Sequence, residues 1–156
     1  MIEDDDAAGE VDMSCSLVVS RELFVPRELV FDVWTYAEHL ENWYSPGADF
    51  ERHAEVDAGE GGAYLLTWTG LDGRAFGQRG RFETVDPPEA LAYTSVFEVD
   101  GEERFSTRTT VRFTDLGGGT RIDIVVDGYP DGGARDSHQA SWPLFLDQLE
   151  AYFSVI

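Results

Sequence analysis

Between Asp49 and Gly128 apolar and polar residues alternate at period two, and residues that make tight turns break the alternation at short intervals. The spacing predicts strands over 49–57, 62–69, 74–85, 90–99, 105–115 and 120–128. Between them stand "GEGG" (59–62), "LDG" (71–73), "DPPE" (86–89), "DG" (100–101) and "LGGG" (116–119). Asp-Gly and Gly-rich joints supply the positive φ that tight hairpins demand. Joints this short connect antiparallel neighbours only, because a parallel pair needs a crossover of a dozen residues or more. The stretch therefore predicts one antiparallel, strongly curved sheet.

The flanks complete the outline. Residues 15–24, "CSLVVSRELF", read as a further strand with Leu17, Val19, Arg21 and Leu23 on one face. Pro26 suits the first turn of a helix, where its missing N–H costs nothing. Leu29, Val30, Val33, Trp34 and Ala37 then recur at helical spacing, with Arg27, Glu28, Asp32 and Thr35 opposite. A shorter helix carrying Leu40 and Trp43 runs to the Pro46-Gly47 stop. At the other end Trp142, Phe145, Leu146, Leu149, Tyr152, Phe153 and Ile156 share a helical face. Pro143 would break a helix interior, so Ser141 is the expected N-cap and Trp142 the anchor of this helix on the sheet. The prediction is one α+β domain over 14–156, a helix-grip fold. Its curved antiparallel sheet wraps around a long C-terminal helix, and two short helices follow the first strand.

Charge narrows the partners. The formal net charge is −20, with 31 acids against 11 basic residues, every one of them Arg. Residues 1–13 hold a dense run of these acids and read as a solvated, disordered tail. A surface this acidic repels nucleic acid and anionic membrane, which excludes both as partners. No apolar run approaches the roughly 20 residues needed to span a bilayer. The start of the chain lacks the basic-then-apolar pattern of a secretory leader, so a cytoplasmic location is expected. The acidity fits adaptation to high salt as well as it fits a protein partner.

Chemistry-bearing motifs are sparse. The single Cys15 has no second cysteine to pair with and reads as a small hydrophobe in its strand. His39, His53 and His138 show no catalytic or metal-ligand spacing, and His138, placed just before the last helix, reads as a surface or capping residue. The Gly-rich stretches lack the Lys-Ser/Thr and strand-to-helix setting of a phosphate loop. No cofactor, metal ligand or acid–base pair is predicted, and no residue is assigned as catalytic.

Six motifs in order resemble a known family. "VPRELVFDVWTYAEHLENWYSPG" is similar to its opening segment, "EVDAGEGGAYLLTW" to its next strand pair, and "LDG" to the hairpin after it. "GRFETVDPPEALAYT", "FTDLGGGTRIDI" and "SWPLFLDQLEAYF" resemble its later motifs at matching spacings. The family is the activator of heat shock protein ninety ATPase homologue-like branch of the START-like (SRPBCC, helix-grip) superfamily. Tyr44 stands where the family often has a second Trp, Tyr36 where Asp is usual, and Ser141 where Gly is common.

The resemblance implies a cavity between the concave sheet face and the last helix. Strand parity then nominates Tyr64, Leu66, Trp68, Gly80, Phe82, Leu91, Tyr93 and Phe97 as its walls, with Trp142, Phe145 and Leu149 from the helix. Aromatics with polar tips suit a hydrophobic ligand, aromatic or lipid-like. Arg21, on the face of Val19 and Leu23, calls for a counter-charge and reads as an internal ion pair or a polar rim group; Arg52 raises the same question. Trp43 is expected as a structural anchor at the rim. The function implied is small-molecule binding. A co-chaperone-like protein-interaction domain and a polyketide cyclase or aromatase are the alternatives.

Overall fold

The computed structural model describes residues 15–156, and the acidic stretch 1–13 expected as a tail lies outside them. The strands are β1 (Leu17–Leu23), β2 (Phe50–Val56), β3 (Ala63–Gly70), β4 (Ala75–Asp86), β5 (Ala90–Val99), β6 (Glu102–Asp115) and β7 (Thr120–Asp127). The helices are α1 (Arg27–Thr35), α2 (Ala37–Leu40) and α3 (Gly132–Phe153). The strands form one sheet in the order β1-β7-β6-β5-β4-β3-β2, antiparallel throughout. Each hairpin joint pairs chain neighbours from β2 to β7. The chain crosses from one sheet edge to the other once, through α1 and α2, between β1 and β2.

Alternation sets the core. Tyr64, Leu66 and Trp68 of β3 are buried, as are Leu91 and Tyr93 of β5, Val111 and Phe113 of β6, and Ile122, Ile124 and Val126 of β7. The sheet curves around α3 as a half-barrel, and α3 buries Trp142, Phe145, Leu146 and Leu149 against it. Cys15 is half-buried against this core. Among the described residues no helix is long and apolar enough to cross a membrane.

The helices differ from expectation in detail. α2 ends at Leu40, so Trp43 lies in the turn beyond it rather than within a helix running to Pro46-Gly47. α1 is capped by Pro26 itself, whose carbonyl accepts from the Leu29 and Val30 N–H groups. Its buried face holds Val30, Phe31, Val33, Trp34 and Thr35, while Leu29 is exposed. Thr35 tolerates burial because its hydroxyl donates to the Phe31 carbonyl, 2.9 Å away.

The larger difference is the start of α3. Asp131, not Ser141, caps it, its carboxylate accepting from the Ala134 N–H at 2.8 Å. Ser141 lies in the helix interior and donates to the Ser137 carbonyl. The first turns carry mainly small and polar residues, so no apolar period announces them. Pro143 sits on the exposed side, where the intrahelical bond it removes is lost to solvent rather than to the core. Its carbonyl in turn accepts from Arg21 Nη2 at 3.3 Å.

Arg21 finds the counter-charge its strand position required. Nη1 donates to Asp147 at 2.9 Å and to Glu150 at 2.5 Å, fastening α3 to the edge strand β1. Both carboxylates are exposed, so each pair contributes about 1 kcal/mol or less.

Gly80 marks the tightest approach in the sheet. A Cβ there would come within 1.8 Å of the Thr94 carbonyl oxygen. Its cross-strand partner is Tyr64. The Tyr64 hydroxyl reaches that same Thr94 carbonyl, donating at 2.7 Å.

Candidate ligand cavity

A cavity of about 380 Å³ lies between the sheet and α3. Trp68 of β3, Phe76 and Gln78 of β4, Phe97 of β5, and Phe105 and Thr109 of β6 line the sheet side. His138, Trp142 and Phe145 line the α3 side, and Tyr44 and Tyr129 close the space from the flanking loops. Exposed Arg74 and Arg104 border it, so the cavity opens to solvent there.

The wall holds two aromatic groups. In the first, Tyr44, Trp68 and Phe145 meet edge to face, with centroids 4.9 Å apart for Tyr44–Phe145 and 5.5 Å for Trp68–Phe145. In the second, Phe97, Phe105 and Tyr129 surround the His138 ring at 4.6, 5.1 and 5.3 Å. His138 Nδ1 lies 3.0 Å from the Tyr129 hydroxyl.

Beneath the first group runs a buried polar chain. The Tyr44 hydroxyl donates to Gln78 Oε1 at 2.7 Å. Gln78 Nε2 donates to the Tyr64 hydroxyl and to Ser95 Oγ, 3.2 Å each. The Tyr64 proton is committed to the Thr94 carbonyl, so Ser95 Oγ, 2.7 Å away, donates to Tyr64. Burial pushes Tyr64 up to about 12 and raises Tyr44 and Tyr93 as well. All three phenols therefore stay neutral at physiological pH.

Burial among rings pushes His138 down to about 4 from 6.5. Because the folded value is depressed, the unfolded chain binds the extra proton between these two pH values. His138 costs nothing above about pH 6.5 and destabilises the fold increasingly as pH falls toward 4, by up to ~3 kcal/mol. The wild type should lose that much relative to His138→Gln across this window in urea titrations. A difference independent of pH would show that His138 charges freely in the fold.

The residues nominated from sequence separate in space. Trp68, Phe97, Trp142 and Phe145 line the cavity. Tyr64, Leu66, Phe82 and Tyr93 instead surround a void of about 20 Å³ beside Trp34 and Leu40. Leu91 and Leu149 are fully buried in the core. Trp43 is not at the rim: it is fully buried, and its Nε1–H donates to the Val33 carbonyl at 3.0 Å. Arg21 lies on the seam between β1 and α3. Arg52 donates to Ser45 Oγ, the Gly47 carbonyl and Gln148 Oε1.

Phe76, Gln78, Phe105, Thr109, Tyr44, Tyr129 and His138 are among the wall residues that sequence reasoning passed over. Gln78 has the inward parity of Phe82, and its polarity concealed it. His138 was hidden by the misplaced start of α3. Among the described residues no cluster of His, Cys, Asp and Glu could hold a metal ion.

Comparison with known proteins agrees with this architecture. A crystal structure of a protein from Chromobacterium violaceum, 28% identical, superposes with a TM-score of 0.79 over 89% of this chain and 96% of that one. Two further crystal structures show the same fold. One is a Nitrosomonas europaea protein at 24% identity, TM-score 0.76, covering 93% of this chain and 97% of that chain. The other is a Silicibacter pomeroyi protein described as AHSA1, at 19% identity and TM-score 0.76, covering 90% and 98%. No curated protein matches the chain. The model of the family described as Activator of Hsp90 ATPase homolog 1-like protein matches residues 25–154, the two short helices, six of the seven strands and α3 together, and the chain belongs to that family.

Proposed function

We propose that this protein binds a small hydrophobic molecule, aromatic or lipid-like, in the cavity between sheet and α3, without transforming it. The observation that carries this reading is the cavity itself, about 380 Å³ and walled chiefly by aromatic rings. Its volume falls in the range of roughly 300–1,000 Å³ typical of small-molecule sites. Aromatic walls left apart by a closely hydrogen-bonded floor hold space that a plain core would fill.

A cyclase- or aromatase-like reaction would have to run through the His138–Tyr129 pair, because, of the other titratable acids and bases in the wall, Glu98 is paired with Arg79 and burial raises Tyr44. Burial leaves His138 a neutral, weak base and raises Tyr129 beyond its ordinary value. Neither is tuned for proton transfer near neutral pH, which favours binding over turnover.

Native mass spectrometry of protein purified under mild conditions tests the reading. A discrete adduct of small-molecule mass is expected on the wild type. Ser141→Trp, which projects an indole from α3 into the cavity, should lose it while the circular dichroism spectrum is retained. An adduct-free wild type that also fails to take up apolar aromatic or acyl probes would sink the proposal.

A further inference from the structure

The β3–β4 and β5–β6 turns meet at the open end of the cavity. Asp100 ties them together: its carboxylate accepts from the Ala75 N–H at 2.9 Å, and its own N–H donates to the Ala75 carbonyl at 2.7 Å. Arg74 and Arg104 emerge beside these turns, and both border the cavity. The Arg74 guanidinium lies over the ring of Phe76, a cavity wall, 5.4 Å from its centroid.

Among the described residues Arg27, Arg52, Arg74, Arg81 and Arg112 have no carboxylate partner, and of these Arg74 alone borders the cavity. The acids around this edge are engaged elsewhere. Glu98, which also lines the cavity, and Glu103 both pair with Arg79, Glu103 at 2.6 Å. Asp72 accepts from the backbone N–H of Arg74, at 2.9 Å, and Asp100 from that of Ala75. Glu102 approaches Arg104 at 3.7 Å, a long and exposed contact. Among the described residues, the Arg74 guanidinium makes no ion pair within 4.0 Å.

A guanidinium over an aromatic wall, with no ion pair of its own, can meet the planar geometry of a carboxylate. We infer that the cavity takes an amphipathic anion, with a ring or acyl body among the aromatic walls and a carboxylate at Arg74, supported by Arg104. This rests on the binding reading above and assigns the chemical class of the ligand.

Isothermal titration at neutral pH with two matched pairs tests it: naphthoic acid against naphthamide, and decanoic acid against decanamide. At least one acid should bind about tenfold more tightly than its own amide, the size expected of a charge-assisted hydrogen bond. Which pair shows the preference tells an aromatic carboxylate from a fatty acid. The preference should fall to about threefold or less in Arg74→Gln and vanish when Arg104→Gln is added. Arg81→Gln, whose guanidinium meets the Gly61 carbonyl away from the cavity, should retain it.

Equal binding of acid and amide overturns the anion assignment and leaves the cavity reading standing. A preference that survives the double variant overturns the role of these arginines. Failure of all four compounds to bind overturns both.

Discussion

Trp43→Ala is expected to destabilise the domain by about 4–5 kcal/mol, measured by equilibrium urea unfolding. The indole is fully buried between Trp34, 5.1 Å away, and Tyr44, 5.2 Å away. Truncation removes this packing and leaves a void that its neighbours fill only in part. It also strips the Val33 carbonyl, near the end of α1, of the donor it receives from Nε1. Trp43→Phe separates the two contributions. It keeps a ring in the space and loses the donor, and should cost about 1–2 kcal/mol. A Trp43→Ala cost below about 2 kcal/mol would mean that the two short helices repack freely over the sheet.

The second large effect belongs to a residue with no side chain. Gly80→Ala should cost more than about 3 kcal/mol, because the new methyl would meet the Thr94 carbonyl oxygen at 1.8 Å. Backbone, not a flexible side chain, must yield, so β4 and β5 have to separate near the register shift between Phe82 and Thr84. Gly77→Ala provides the comparison on the same strand. Its methyl would find nothing closer than 3.6 Å and should cost under about 1 kcal/mol. Similar costs at the two positions would show that β4 adapts to side chains throughout.

These two residues also show what a sequence discloses. Trp43 was legible as an anchor, because helical spacing from Leu40 to the Pro46-Gly47 stop places it inward; its full burial was not, because spacing gives direction and not depth. Gly80 was legible only as an inward position. Its cross-strand encounter with Thr94 depends on register, which alternation does not specify.

The strands were read to within three residues of their observed ends because turn chemistry punctuates them. The start of α3 was misplaced because one local rule, proline as helix breaker, was applied where the backbone faces water. The cavity wall was half legible. Its aromatics carry an obvious inward pattern, whereas Gln78 and His138 are polar residues whose burial is compensated by partners distant in sequence, Tyr44 and Tyr129 among them.

The buried chain from Tyr44 through Gln78 to Tyr64 and Ser95 has a consequence for selectivity. Each donor in it already has an acceptor inside the protein. A guest molecule would therefore receive no donated hydrogen bond from this floor, and an acceptor on its deep end would find no free donor there. Toward guests that carry no donor, shape and polarisable contact would discriminate at depth, and a missing methylene is worth only about 1–3 kcal/mol in such a pocket. On the proposed binding function, such a floor would select a size class of guests rather than a single compound.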